Sequence, residues 1–144
     1  AWSRSAPRGA EPGVQRVASL ADLLRQVDVL SLHCPATPDT RHLIGAAALA
    51  TMPRHAVLIN TARGDVVDEA ALVAALEAGQ IAGAGLDVFE REPQVHPGLL
   101  QRDDVVLLPH LGSATRETRE AMGFRALENL RAHFAAQAPP DRVA

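Results

Sequence analysis

The stretch AVLINTARG, residues Ala56–Gly64, decides how the rest of this sequence is interpreted. Its first four residues form an apolar run that is too short for a typical helix, a pattern typical of a strand buried on both faces of a parallel sheet. The stretch ends in Arg63 and a glycine. Because ligands of open α/β sheets bind outside the carboxyl ends of the strands, Arg63 is either a functional group or a surface charge that closes the strand.

Strands and helical segments alternate along the remaining sequence. Further strands are predicted over Asp28–Cys34, Ile81–Phe89 and Val105–Leu108. A helix is predicted to begin after Ser19, where Asp22 stands three residues on as in a capping box. Other helices are predicted over Leu43–Met52, over Ala70–Glu77 and from Thr115 to about Ala136. This alternation predicts βαβ units, and therefore an α/β fold with a doubly wound parallel sheet of the Rossmann type.

The composition limits the classes of function. A chain of 144 residues with 47% hydrophobic and 22% charged residues is typical of one globular domain. The net charge of −3 argues against partners such as nucleic acid or an anionic membrane. Cys34, the only cysteine, excludes an internal disulfide and favours a reducing compartment, so a cytoplasmic location is expected. We predict no metal site, because neighbouring strand residues such as His33 and Cys34 point to opposite faces.

Three ionisable residues lie at or just after the carboxyl ends of three successive predicted strands: Arg63, Glu92 and His110. These ends line one edge of a parallel sheet, so the three groups can converge on one crevice. Arginine offers a bidentate fork for a carboxylate, and histidine is the natural proton donor or acceptor near neutral pH. Together they suit the reversible oxidation of a hydroxy acid. Taken singly, Glu92 could be a solvated loop carboxylate and His110 could simply bond a backbone carbonyl.

Several motifs carry a resemblance to a known family. They are SLHCP and TRHLI within residues 31–44, LINTARGDVVDEAAL at 58–72, GLDVFEREP at 85–93 and PHLGSAT at 109–115. In this order they closely resemble the D-isomer-specific 2-hydroxyacid dehydrogenases, in particular the glyoxylate/hydroxypyruvate reductases. The resemblance runs from about residue 18 to 137 and implies an NAD(P)-dependent oxidoreductase of small 2-oxo or 2-hydroxy acids.

The resemblance also implies roles for individual residues. Arg63 would hold the carboxylate and carbonyl of the substrate, and Glu92 would pair with His110, which would protonate the keto oxygen as hydride arrives. Asp87 would contact the nicotinamide carboxamide. The other cofactor contacts implied by the resemblance are Cys34, Pro35, Thr40, Thr61, Ala62, Arg63, His110, Gly112 and Ser113.

The opening of the chain bears on the choice between NAD and NADP. In this family a second strand usually ends in an acidic residue that takes the ribose hydroxyls of the adenosine. The matching segment here is Trp2–Ser5, which contains no acid. Ser3 and Arg4 would instead suit a 2′-phosphate, so we predict a preference for NADP over NAD. The alternative is that Arg4 is only a loop charge.

The resemblance is incomplete. The family's glycine-rich loop, G-x-G-x-x-G, and its substrate domain are both missing from this sequence, and the loop is expected upstream of Trp2. Residues 1–137 are therefore expected to be a partial dinucleotide-binding domain, truncated at the N-terminus, and 138–144 a tail leading toward the substrate domain. We expect such a fragment to be inactive alone and homodimeric when complete. The alternative function is a non-catalytic, dinucleotide-responsive binding module of the corepressor type, which could keep Arg63, Glu92 and His110.

Overall fold

A computed structural model describes residues 1–4 and 12–143 of the chain. It divides into two compact units, Ala1–Pro109 and His110–Ala144. The turn-rich loop predicted between residues 6 and 13 falls almost entirely outside the described residues, as does Ser5.

In the first unit, the described residues form a four-stranded parallel sheet. Its strands are β1 (Val29–Leu32), β2 (Val57–Asn60), β3 (Gly83–Leu86) and β4 (Val105–Leu107), in the spatial order β1-β2-β3-β4. Leu58 pairs with Leu30 on one side and with Ala84 on the other. The α/β prediction is confirmed, since each strand of this sheet runs parallel to its neighbours.

The helices of the first unit are α1 (Leu20–Leu24), α2 (Ala46–Thr51) and α3 (Glu69–Glu77), with 3₁₀ turns at Gly64–Val66 and Pro97–Leu99. Among these helices, α1 precedes β1, whereas α2 and α3 connect successive strands. The predicted cap of α1 is confirmed, because Ser19 Oγ accepts a hydrogen bond from the Asp22 N–H. The predicted start of α2 at Leu43 is wrong. Ile44 is extended and forms a parallel bridge with Val67, so the helix begins only after Gly45.

The core lies against one face of the sheet. Leu30, Leu58 and Leu86 are nearly inaccessible to solvent and belong to the same cluster as buried leucines of the three helices. Right-handed βαβ crossovers explain this, because they place α2 and α3 on the same face. On the opposite face Val57 and Ile59 are only half-buried. The prediction that this strand is buried on both faces is therefore wrong for the residues of that second face.

The second unit is built on α4 (Arg116–Phe134), which is capped by Thr115. After the helix, the carboxylate of Asp141 accepts bonds from Arg125 Nε at 2.6 Å and from Asn129 Nδ2 at 2.7 Å. These partners, Arg125 first, hold the pKa of Asp141 below its usual value. Within the described part of the chain, no helix has the length and apolar character needed to cross a membrane.

Candidate functional site

The turn that carries Arg63 is fixed by a buried amide. Asn60, the last residue of β2, is 1% exposed. Its Nδ2 donates to the Arg63 carbonyl at 3.0 Å, and its Oδ1 accepts from the Ala62 N–H at 3.1 Å. Both ends of the carboxamide are therefore satisfied by backbone groups, and the turn is closed. The Arg63 side chain itself is exposed.

Gly64 brings this turn into contact with a second loop. A Cβ atom at Gly64 would lie 1.9 Å from the carbonyl carbon and oxygen of Phe89 and 2.4 Å from the Glu90 nitrogen. No side chain fits in that space, so only glycine allows the two backbones to approach this closely. The contact joins the turn of Arg63 to the loop that leads to Glu92.

Polar side chains from two other segments contact the same loop. Glu69, at the start of α3 and 5% exposed, accepts the Glu90 N–H through Oε1 at 2.8 Å. His42 Nε2 lies 2.9 Å from Glu90 Oε1, and His42 Nδ1 lies 3.8 Å from a carboxylate oxygen of Asp68. We call residues 60–69 and 87–92 together the braced edge. Its loops are held by backbone contact and by partly buried hydrogen bonds rather than by surface charges alone.

Two further predicted residues lie on the braced edge. Asp87 directly follows β3, is 4% exposed, and its N–H donates to the Asn60 carbonyl at 3.0 Å. The side chain of Glu92 is bound to its own loop, where Oε1 accepts the Phe89 N–H at 3.0 Å. The carboxyl ends of β2 and β3 therefore carry Arg63, Asp87 and Glu92, as the sequence predicts for this edge of the sheet.

A pocket opens between the ends of β1 and β2. Its volume is about 510 Å³, and its walls are formed by residues 33–36 and 61–63. The predicted cofactor contacts Cys34, Pro35, Thr61 and Ala62 lie on these walls together with Arg63.

A second pocket, of about 540 Å³, adjoins the first because Cys34 and Pro35 line both. Its floor is apolar and includes Leu20, Leu30 and Leu43. The predicted contacts Ser3, Arg4 and Thr40 also line it. Thr40 is 8% exposed, and its hydroxyl donates to the Pro35 carbonyl at 2.7 Å, which fixes the loop between them.

Three residues that line this second pocket, Ser3, Arg4 and Asp39, together with Arg16, which contacts Ser3, form a group that we call the rim. Arg4 Nη1 lies 2.5 Å from Asp39 Oδ2, and Arg16 Nη1 lies 3.5 Å from Ser3 Oγ. Neither Arg16 nor Asp39 is predicted from the sequence. Asp39 stands in a turn beside a proline, and Arg16 stands in a segment that forms neither helix nor strand, so no local pattern marks either residue.

His110, Gly112 and Ser113 begin the second unit and are described within it. His110 has a φ of 55°. That value is uncommon for a residue with a Cβ atom and is found more often at functional sites than elsewhere. The Leu111 carbonyl then accepts the Ala114 N–H in the turn before α4. The remaining predicted residues lie in the first unit, around the two pockets and along the braced edge.

Known proteins are similar to this chain in sequence. The family described as D-isomer specific 2-hydroxyacid dehydrogenase, NAD binding domain, matches residues 1–112. A glyoxylate reductase of Aeropyrum pernix is 54% identical over 127 residues, which are 87% of this chain and 38% of that protein. A glyoxylate/hydroxypyruvate reductase B of Citrobacter koseri is 49% identical over 128 residues, 88% of this chain and 40% of that protein.

A solved structure of a similarly named reductase also resembles this chain. An NADPH-dependent glyoxylate/hydroxypyruvate reductase of Sinorhizobium meliloti, in complex with citrate, matches with a TM-score of 0.90 and 42% identity, covering 99% of this chain and 44% of that one. The chain thus spans less than half the length of these relatives. With the family match over most of its residues, this chain belongs to the D-isomer specific 2-hydroxyacid dehydrogenases, within their NAD-binding domain.

Proposed function

We propose that this chain supplies the catalytic residues and much of the cofactor crevice of an NAD(P)-dependent reductase of small 2-oxo acids such as glyoxylate or hydroxypyruvate. The observation that carries the proposal is Arg63 on the wall of the pocket at the carboxyl ends of β1 and β2, on a turn closed by the buried Asn60. Support for the substrate class comes from the relatives named as glyoxylate and hydroxypyruvate reductases.

The two adjoining pockets fit the ends of a dinucleotide. The apolar floor at Leu20, Leu30 and Leu43 suits an adenine ring, and the polar residues of the rim suit a ribose or its phosphate. Thr61, Ala62 and Asp87 would hold the nicotinamide end. Bound there, the nicotinamide would supply or accept the hydride of the reaction.

In the proposed reaction, the guanidinium of Arg63 binds the substrate carboxylate as a bidentate fork and polarises the neighbouring carbonyl. His110 gives its proton to the keto oxygen as hydride reaches the carbonyl carbon, and takes that proton back in the reverse direction. By the family resemblance, Glu92 would pair with His110 and orient its imidazole. Gly112 and Ser113 would add contacts on the nicotinamide side.

Three finer features belong to the same proposal. NADP is the preferred cofactor, because no acid stands at Trp2–Arg4 and two arginines lie in the rim. The complete protein is a cytoplasmic homodimer, with support from its family and its single cysteine. Residues 1–137 act as part of a dinucleotide-binding domain.

The test is a chimera in which this chain replaces the matching segment of the Aeropyrum pernix glyoxylate reductase. We expect the folded chimera to oxidise NADPH with glyoxylate, and His110→Asn to lower kcat by at least about 100-fold. His55→Asn is the matched control, because His55 is exposed and bonded to Asp28. It should leave kcat unchanged.

A folded chimera without turnover, or one that His110→Asn leaves fully active, would contradict the catalytic assignment and favour a binding module. The 144-residue chain alone is expected to show no turnover, and steady NADPH oxidation by it would refute that expectation.

A further inference from the structure

The rim contains an ion pair between two residues that line the second pocket. Arg4 and Asp39 are 35 residues apart in sequence, and both line this pocket. Their side chains are 60% and 73% exposed, so water screens the attraction between them. Exposed pairs of this kind contribute about 0.2–1 kcal/mol, which a stronger ligand of either partner can overcome. The Arg4 guanidinium is therefore held by Asp39, but only weakly.

Arg16 adds a second positive charge to the rim. Its Nη1 approaches the hydroxyl of Ser3, the residue next to Arg4 in sequence. The rim therefore contains the guanidinium groups of Arg4 and Arg16 and the hydroxyl of Ser3. The opposing charge among the described rim residues is the single carboxylate of Asp39. Because the rim has two cations and one anion, the attraction of an added anion to the cations exceeds its repulsion by the anion.

A phosphate monoester is the anion that such a group of residues favours. It carries a charge of about −1.5 to −2 near neutral pH and three acceptor oxygens, whereas the Asp39 carboxylate carries one charge and two oxygens. Two arginines can donate hydrogen bonds to the phosphate oxygens at the same time, because each guanidinium presents its N–H donors in a fixed fork. A nucleotide without this phosphate offers the rim only ribose hydroxyls. It gains nothing from Arg16 and has no need to displace Asp39.

We propose that Arg16 and Asp39 set the discrimination between phosphorylated and unphosphorylated adenosine ribose at this pocket, Arg16 as a second cation for a 2′-phosphate and Asp39 as the carboxylate that the phosphate displaces from Arg4. This inference rests on the cofactor crevice of the proposed function. The two residues act in opposite directions. Arg16 strengthens binding of the phosphorylated nucleotide, and Asp39 weakens it and so keeps the preference moderate.

The test is binding of adenosine 2′,5′-bisphosphate and of 5′-AMP to the 144-residue chain, followed by NMR chemical shifts up to millimolar nucleotide. Arg16→Ala should weaken binding of the bisphosphate by about tenfold, the value of a lost charged hydrogen bond. Asp39→Asn should strengthen it by about threefold, as expected for removal of a weak exposed competitor. Neither variant should change 5′-AMP binding by more than about twofold, since 5′-AMP lacks the 2′-phosphate.

Matched controls remove the same charges elsewhere. Arg54→Ala and Asp28→Asn change exposed residues that do not line this pocket, and both should leave the ratio of the two affinities unchanged. Arg16→Gln is a second variant that removes the charge while keeping most of the side chain, and it should behave like Arg16→Ala.

The outcomes separate the two proposals. If both nucleotides bind but Arg16 and Asp39 variants change both affinities equally, or neither, the inference is overturned and the cofactor crevice stands. If neither nucleotide binds the unsubstituted chain, the cofactor crevice of the proposed function is overturned for this chain, and the inference with it. The chimera offers a second readout, the ratio of kcat/KM for NADPH to that for NADH, which should rise in Asp39→Asn and fall in Arg16→Ala.

Discussion

The braced edge and the rim lie in the same compact unit but are held by different forces. At the braced edge, Gly64 touches the backbone of Phe89, and Glu69, 5% exposed, accepts a backbone N–H of the facing loop. At the rim, Arg4 and Asp39 meet through long side chains that are mostly in water. The first region is built from backbone and buried groups, and the second from surface charges.

This difference separates what the fold requires from what it leaves adjustable. A change at the braced edge disturbs buried hydrogen bonds or backbone packing and therefore costs folding free energy. A change at the rim alters a screened charge and therefore leaves the folding free energy nearly unchanged. We expect cofactor preference to be adjustable at the rim without loss of stability, while the position of Arg63 is fixed along with the fold.

The largest effect is expected from Gly64→Ala. The new Cβ would overlap backbone atoms of Phe89, which cannot rotate away as a side chain could. Forcing the two loops apart should lower the free energy of unfolding by about 3 kcal/mol, measured by urea denaturation. Gly45→Ala is the control in the same unit, because its Cβ would make an ordinary contact of 3.4 Å. It should cost less than about 1 kcal/mol. Equal losses in the two variants would mean that the close approach at Gly64 is not needed.

Glu69→Ala should come next. It removes the acceptor of the Glu90 N–H, and an unsatisfied donor at this site should lower the free energy of unfolding by about 2 kcal/mol. Hydrogen exchange of the Glu90 amide should accelerate in parallel. Glu69→Gln keeps an oxygen acceptor of the same shape and should retain most of the protection of that amide. An amide that exchanges equally slowly in Glu69→Ala would remove this residue from the braced edge.

An intermediate effect is expected beside the second pocket, at the start of α1. Ser19→Ala removes the side-chain cap of this helix and should cost about 1 kcal/mol. The hydrogen bond from Ser19, followed by that from Arg25, holds the pKa of Asp22 below its ordinary value. Asp22 therefore stabilises the fold above its unfolded pKa of about 4, and that contribution is lost as the pH falls through its lower folded pKa.

The same variant tests this linkage. In Ser19→Ala the pKa of Asp22, measured by NMR titration of its carboxyl carbon, should rise toward its ordinary value. An unchanged pKa would assign the shift to Arg25 instead of Ser19.

The smallest change in stability is expected at the rim itself. Asp39→Asn breaks the pair with Arg4, yet the free energy of unfolding should stay within about 0.5 kcal/mol of the unsubstituted chain. Thermal unfolding under low and high salt is the measurement. A loss as large as that of Glu69→Ala would erase the distinction between the two regions.

Local patterns predicted most of the fold. Ser19 and Asp22 predicted α1, and the apolar runs predicted the four strands. Both patterns depend only on residues that are close in sequence. The start of α2 was missed because Ile44 is drawn into a bridge with Val67, a partner 23 residues away that outweighs its helical surroundings. The half-buried face of β2 was missed for a similar reason, since coverage of a face depends on where the crossover helices pack.

The site shows the same division. The positions of Arg63 and Glu92 at strand ends followed from chain order, and the family resemblance gave them roles. Asn60 and Glu69 could not be singled out, because each acts by binding the backbone of a turn or loop that the sequence does not show folded. In the sequence, Glu69 is an ordinary acidic residue in the first turn of a helix. Only the structure shows that it also accepts a hydrogen bond from the Glu90 N–H.

Strand β1 has one further consequence, for handling the protein at the bench. It forms one border of the four-stranded sheet, with β2 as its strand neighbour there, and Val29 on it is 58% exposed. The outer side of such a strand presents a row of amide and carbonyl groups that another molecule can join by strand pairing. Self-association of the purified chain through this edge should therefore increase with protein concentration, which light scattering across a dilution series would measure.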